Sequence, residues 1–336
     1  MPKPLIIMQN IGCYRSRALM LRLGVIGAGY LGRHHARIYC SLGQETGAVE
    51  LAAVCDTDPE RAREVAETYG TRHFTDYRDM VRLVDAVSIV TPTGSHRDLA
   101  VACLQAGKDI LLEKPICSTM EEAEEVCALA AQRGLILQAG HVERFNPAAQ
   151  KALALVKRPV FIEAQRTSPF PERSLDVDVT LDMMIHDIDL ALCAFGCPDV
   201  RGIKAAGARI VTRNLDTAQA WVDFENGCSA YLSASRVAAE KRRVMEFVEE
   251  GRVVKADLLV KQVTVKTKDA GEEMEYGPDA SGGPGGGPRG PEPLKEELID
   301  FLRCVKTRTA PRVSPLEARR ALELALRISE IIRSSI

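Results

Sequence analysis

Three side chains in this sequence, Lys114, Asp182 and His186, have the types and spacing to move a proton. Lys114 stands in Glu113-Lys114-Pro115, directly after Asp109-Ile110-Leu111-Leu112, which reads as a buried strand. An ammonium at the carboxyl end of a parallel strand can hold a substrate hydroxyl and stabilise charge developing on its oxygen. Taken alone it reads first as a solvated lysine at a strand end. Asp182 and His186 are four residues apart in the mostly apolar stretch Leu181–Asp189, and Asp189 follows three residues later. Helical spacing puts all three on one face. Ionisable groups on a greasy helix carry a desolvation cost that asks for a reason. A histidine there suits proton transfer near neutral pH, and a carboxylate can orient it or raise its pKa. A structural Asp–His pair and a metal site are the alternatives. No third metal ligand is evident, so no metal is expected.

A cofactor site is written into Gly27-Ala28-Gly29-Tyr30-Leu31-Gly32. A β-branched run leads into these glycines and a helix pattern leaves them. Gly27 suits the tight turn, Gly29 the close approach of a pyrophosphate and Gly32 the packing of helix on strand. The helix start offers unpaired N–H groups and the positive end of its dipole. A second strand, Val49–Cys55, ends at Asp56, 24 residues beyond Gly32, where a carboxylate would meet the adenosine ribose. Its charge repels a 2′-phosphate, so NAD is expected rather than NADP; Arg61 and Arg63 nearby soften this. A plain structural turn with a helix-capping Asp is the bland alternative.

These residues need a scaffold, and the chain supplies one. Strand-like and helix-like runs alternate from Leu21 to Gln138, which predicts an α/β doubly wound parallel sheet with ligands at the carboxyl ends of its strands. Near Gly140–Pro147 the pattern changes. The runs 159–167, 200–212, 218–224, 228–235, 243–249, 252–256 and 259–266 read as strands joined by short turns, interrupted by a helix around 178–195. This predicts an α+β domain with a largely antiparallel open sheet. Two amphipathic helices close the chain, near 293–306 and 315–333. The expected divisions are a poorly ordered, dispensable tail at 1–19, a Rossmann domain at 20–142, and a substrate and oligomerisation domain at 143–336. Residues 277–293, rich in Gly and Pro, are expected to form a flexible loop.

In this order the motifs resemble those of the Gfo/Idh/MocA oxidoreductases: Gly27-Ala28-Gly29-Tyr30-Leu31-Gly32, Thr91-Pro92-Thr93 with His96, Glu113-Lys114-Pro115, and Asp182-x-x-x-His186. The resemblance spans residues 20–336 and departs at Met184, where the family often has Gly. It implies a nicotinamide-binding Rossmann domain and a second domain whose open sheet often forms an oligomer interface. It implies Lys114 and His186 as catalytic, with Asp182 in support, and Tyr30, Leu31, Thr91, Pro92, His96, Glu113 and Lys114 among the groups around the cofactor. Gly140–Ala148 together with Met183–Asp187 is similar to members that oxidise UDP-N-acetylhexosamines at C3.

The expected function is NAD-dependent oxidation of a sugar secondary alcohol, first of all a nucleotide-linked amino sugar such as UDP-N-acetylglucosamine. A diphosphate asks for guanidinium groups. Arg144, Arg166, Arg173 and Arg236 are the candidates, with Asn146 adding a hydrogen bond. An inositol-like polyol is the second substrate class. A non-catalytic dinucleotide-binding regulator, which the family also contains, is the reading of another kind; it has no need of Lys114, Asp182 and His186.

Composition sets the outer limits. The 336 residues suffice for two domains, and a net charge of −2 gives no footprint for nucleic acid. The ten cysteines form no C-x-x-C pair and read as reduced thiols of a cytoplasmic protein. Cys193 and Cys197, one helical turn apart, read as core packing. No apolar run reaches the roughly 20 residues that span a membrane. A homodimer or homotetramer is expected.

Overall fold

The computed structural model describes residues 20–170, 176–268, 273–277 and 290–336. The first 19 residues, Arg173 and most of the Gly/Pro-rich segment (278–289) lie outside the described residues.

The first domain alternates as its sequence predicts: β1 (Leu21–Ile26), α1 (Tyr30–Thr46), β2 (Val49–Cys55), α2 (Pro59–Tyr69), β3 (Arg72–Phe74), α3 (Tyr77–Val81), β4 (Ala86–Ile89), α4 (His96–Gln105), β5 (Asp109–Glu113), α5 (Met120–Arg133) and β6 (Leu137–Gly140). The strands form one parallel sheet ordered β3-β2-β1-β4-β5-β6. Order reverses between β1 and β4, the crevice where such sheets take their ligand. Local chemistry sets the helix ends. The Asp58 carboxylate accepts from the Glu60 and Arg61 amides, Pro59 opens α2, and Gly70 closes it with φ 64°.

A helical turn at Val142–Phe145 and α6 (Pro147–Leu155) carry the chain into the second domain. There β7 (Phe161–Thr167), α7 (Ile185–Phe195), β8 (Val200–Ala208), β9 (Thr217–Phe224), β10 (Ser229–Ser235), β11 (Arg242–Glu249), β12 (Arg252–Asp257), β13 (Gln262–Thr267) and β14 (Glu273–Tyr276) follow. The sheet runs β14-β13-β12-β11-β7-β10-β9-β8 and is antiparallel except where β10 lies parallel to β7. β8 stops at Ala208, short of the expected 212, because the amides of Ile210, Val211 and Thr212 turn inward to donate to Asp216 Oδ2 at 2.7, 2.7 and 2.9 Å. β14 was not predicted from the pattern.

The chain then returns to the first domain. α8 (Pro293–Thr307) buries Leu298, Phe301, Leu302 and Val305 in one apolar cluster with Leu23 and Val25 of β1, Ile38 and Leu42 of α1, and Leu51 of β2. Sequence order had placed this helix with the second domain; its apolar stripe packs on the Rossmann side. α9 (Pro315–Ser335) starts in a capping box between Ser314 and Glu317 and packs against α5 and β6 as well as α7 and β8. Among the described residues no helix is long and apolar enough to cross a membrane.

Candidate active site

The glycine-rich turn has the shape that a dinucleotide requires. Gly27 has φ 98°, and a Cβ there would stand 2.3 Å from the Val90 carbonyl oxygen. A Cβ on Gly32 would stand 1.7 Å from the Gly27 carbonyl oxygen, so only glycine lets α1 start this close to β1. A Cβ on Gly29 would meet open space. Gly29 is also the N-cap of α1 and no side chain caps its amides, leaving that space and those donors for a phosphate. Tyr30 is exposed and Leu31 half-buried at the rim.

Asp56 sits where expected. Its carboxylate accepts from Ala28 N at 2.7 Å and Asp58 N at 2.9 Å, which ties the end of β2 to the glycine turn. Arg61 reaches it at 3.7 Å. These residues fit the adenosine end of NAD. Asp56→Ala is expected to raise kcat/KM for NADP relative to NAD. The charge-assisted contacts at stake are worth about 1.5–3 kcal/mol, roughly tenfold to a hundredfold in the ratio. Steady-state rates with both dinucleotides check this, and an unchanged ratio removes Asp56 from cofactor choice.

Thr91 and Pro92 follow β4, with Pro92 exposed and Thr91 half-buried. His96 corrects the expectation that it faces the cofactor. It is 1 % exposed, and its two ring nitrogens lie 2.9 Å from the Pro115 carbonyl and 2.8 Å from the Thr91 carbonyl. It clamps the turn after β4 to the turn after β5 and so positions both. Glu113 is also buried. Its carboxylate accepts from the Lys114 amide at 3.2 Å and lies 3.3 Å from His35 Nε2. Gly140 leaves it room, since a Cβ there would stand 2.8 Å from the Glu113 carboxyl.

Lys114 and Asp182 come together across the two domains. The ammonium donates to the Asp182 carbonyl at 2.6 Å and to its carboxylate at 3.0 Å. The expected single helix is a π-helical stretch, Thr180–Met184, continued by α7. Such widened turns recur at functional sites. The consequence corrects the expected shared face: Asp182 holds Lys114 rather than His186, and Asp189 points inward to Arg144 Nε at 2.9 Å. His186, the second residue of α7, is half-buried. Burial first, and then Lys114, Arg166, His141 and Arg243, hold its pKa well below the ordinary histidine value. It is therefore a neutral imidazole able to take a proton.

The candidate substrate arginines among the described residues, Arg144, Arg166 and Arg236, are occupied. Arg144 is buried between Asp189 and Glu317. Arg166 is buried with Nη2 2.7 Å from Asp187 and Nη1 2.8 Å from Glu143. Arg236 is buried 2.9 Å from Asp216. Asn146 caps α6 through Ala148 N at 3.0 Å and donates to Glu143 and to the Leu258 carbonyl, both at 2.9 Å. All four are held by partners within the protein. Sequence reading missed Arg243, which stands opposite Arg166 across β11 and β7 and shares Glu143 with it at 3.2 Å. Its side chain is 38 % exposed, and its charge acts on His186. Strand alternation from Arg243 was the one signal available. Among the described residues no cluster of metal ligands forms.

A dinucleotide turn on one domain, and a lysine, an aspartate and a neutral histidine gathered at the junction with the next, define a nicotinamide-dependent oxidoreductase acting on a small molecule. Residues 21–141 match the oxidoreductase family GFO_IDH_MocA, NAD-binding Rossmann fold, and residues 158–254 match the GFO/IDH/MocA C-terminal domain. The chain belongs to the Gfo/Idh/MocA family of dehydrogenases. It is 37 % identical over 314 residues to UDP-N-acetylglucosamine 3-dehydrogenase of Acidithiobacillus ferrooxidans, covering 92 % of this chain and 96 % of the relative. A solved structure of UDP-N-acetylglucosamine 3-dehydrogenase from that organism superposes with a TM-score of 0.85 at 35 % identity, covering 94 % of this chain and 99 % of the other. The scyllo-inositol 2-dehydrogenase (NAD(+)) of Bacillus subtilis is 26 % identical over 335 residues, covering 94 % of each chain.

Proposed function

We propose that this dehydrogenase oxidises a nucleotide-linked amino sugar, UDP-N-acetylglucosamine, at its C3 hydroxyl. The observation that carries the chemistry is the Lys114 ammonium, fixed on Asp182 across the domain junction in the same cluster as neutral His186. The 37 % identity to a UDP-N-acetylglucosamine 3-dehydrogenase over nearly the whole chain supports the substrate. NAD supplies the hydride acceptor. His186 takes the hydroxyl proton, Lys114 holds the oxygen and stabilises the developing alkoxide, and Asp182 holds Lys114 in place. Arg243 is proposed for the substrate's diphosphate, in place of the buried arginines. We further propose that the protein is a cytoplasmic homodimer or homotetramer joined through the face of the second sheet that exposes Trp221, stacked on Phe161 at 5.2 Å.

Purified protein with NAD is expected to reduce it with UDP-N-acetylglucosamine and not with free N-acetylglucosamine or inositol. Turnover of inositol with neither reaction nor binding of the nucleotide sugar overturns the assignment. Arg243→Ala is expected to raise KM for the nucleotide sugar in steady-state assays, because the diphosphate loses its guanidinium partner.

A further inference from the structure

Behind His186 a second histidine is buried without a partner. His141, the residue after β6, is 1 % exposed, and neither of its ring nitrogens has a hydrogen bond. On one side its Nδ1 lies 4.0 Å from Asp189 Oδ2. On the other its ring neighbours that of His186, with centroids 6.5 Å apart and planes at 82°. The buried nitrogen of His186, Nδ1, also has no partner. Buried polar groups are rarely left so, and each one calls for an explanation.

The chemistry of the base supplies one. Neutral imidazole carries one donor and one acceptor, so a histidine that takes a proton at Nε2 must already carry its hydrogen on Nδ1. That tautomer is fixed by an acceptor facing Nδ1. The side chains whose charge acts most on His186 are Lys114, Arg166, His141 and Arg243. Lysine and arginine are donors only; of the four, His141 alone has a lone pair to offer. Asp189, itself 2 % exposed, is an acceptor on the far side of His141.

We propose that His141 is the positioning residue of the acid–base histidine: with its Nδ1–H directed at Asp189, it accepts the Nδ1–H of His186 at Nε2 and leaves the His186 Nε2 lone pair facing the cleft. The inference rests on His186 being the acid–base group. In the oxidation the substrate carbon loses its hydride to NAD and its hydroxyl proton passes to His186 Nε2. The new imidazolium keeps its Nδ1–H on His141, with the Asp189 carboxylate stabilising the charge from behind, and later releases the Nε2 proton to solvent. Both contacts are longer than a hydrogen bond; catalytic hydrogen bonds are often long until substrate arrives. The charged groups facing His141 are Asp189 and His186 from α7, Arg144 from the turn after β6, and Lys114 and Glu113 from the end of β5. Burial outweighs the two carboxylates and holds His141 below the ordinary histidine pKa, neutral as an acceptor must be.

The chain has six histidines, few enough for assignment of ring nitrogens in protein labelled with ¹⁵N-histidine, using His186→Ala and His141→Gln as references. Neutral His186 is expected as the Nδ1–H tautomer. His141→Phe, which keeps a ring but no lone pair, is expected to shift it toward Nε2–H and to lower kcat about tenfold to a hundredfold, a part of what proton transfer supplies. His141→Gln returns an amide oxygen and is expected to recover part of the rate, with NADH affinity unchanged in both. Asp189→Asn removes the carboxylate that favours the imidazolium, so the acidic limb of kcat/KM is expected to move to lower pH. A wild-type His186 in the Nε2–H form, or a His141→Phe variant within about twofold of wild-type kcat, overturns the proposal. Should His141→Phe not fold, an unmoved limb in Asp189→Asn overturns it equally. Undiminished turnover in His186→Ala instead overturns the acid–base assignment beneath it.

Discussion

His186→Ala and Lys114→Ala are each expected to lower turnover by about 10²–10⁴, the range that a positioned acid–base group or a preorganised donor supplies. Dinucleotide binding is expected to survive, because the glycine turn and Asp56 are tied to each other and not to either side chain. NADH fluorescence titration and circular dichroism alongside the rate assay separate lost chemistry from lost structure. The two variants differ in one respect. Lys114→Ala frees Asp182 from its partner at 3.0 Å, leaving a carboxylate where an alkoxide must form, so its loss is expected to be at the upper end. The pH profile is a second readout. His186 acts when deprotonated, and burial with Lys114 beside it lowers its pKa. Oxidation is therefore expected to stay on its plateau down through about pH 6.5, the ordinary histidine value, and to fall only in more acid solution. Near-normal turnover in either variant removes that residue from the mechanism.

Arg166→Met is expected to be the most damaging single change for stability. The guanidinium is 2 % exposed and joins Asp187 to Glu143, two carboxylates that are themselves buried. Methionine keeps much of the volume but strands the buried Asp187 carboxylate and leaves Glu143 with Arg243 and Asn146. Breaking a buried pair in this way costs about 3–5 kcal/mol, against a total of about 5–15 for a folded protein. Urea unfolding monitored by circular dichroism measures it. A loss below about 1 kcal/mol would show that the network is neutral for stability. Adding Asp187→Asn to the variant is expected to recover part of the loss, because it removes the stranded charge.

The parts of the fold and site that were legible share one property: their cause is local. The glycines answer to turn geometry, Asp58 and Pro59 to capping, and Lys114 to its place at the end of an apolar strand. What was misread depended on distant partners. Asp182 was expected to orient His186, but a π-helical turn gives its carbonyl and carboxylate to Lys114, 68 residues earlier in the chain. Arg144 was expected in the cleft and is held by Glu317, 173 residues later. No local pattern separates an arginine that awaits a ligand from one already paired. The same holds for His96, whose two ring nitrogens face carbonyls on different loops, and for α8, whose amphipathic stripe does not say which sheet it covers.

That helix has a consequence for how the protein is made. During synthesis domains generally fold as units, the N-terminal one first. Here the cofactor half does not complete its apolar core from its own residues. β1, α1 and β2 leave an apolar surface that is covered by Leu298, Phe301, Leu302 and Val305, residues translated only after the whole second sheet. The apolar face of the nascent Rossmann half is therefore covered only once α8 has left the exit tunnel.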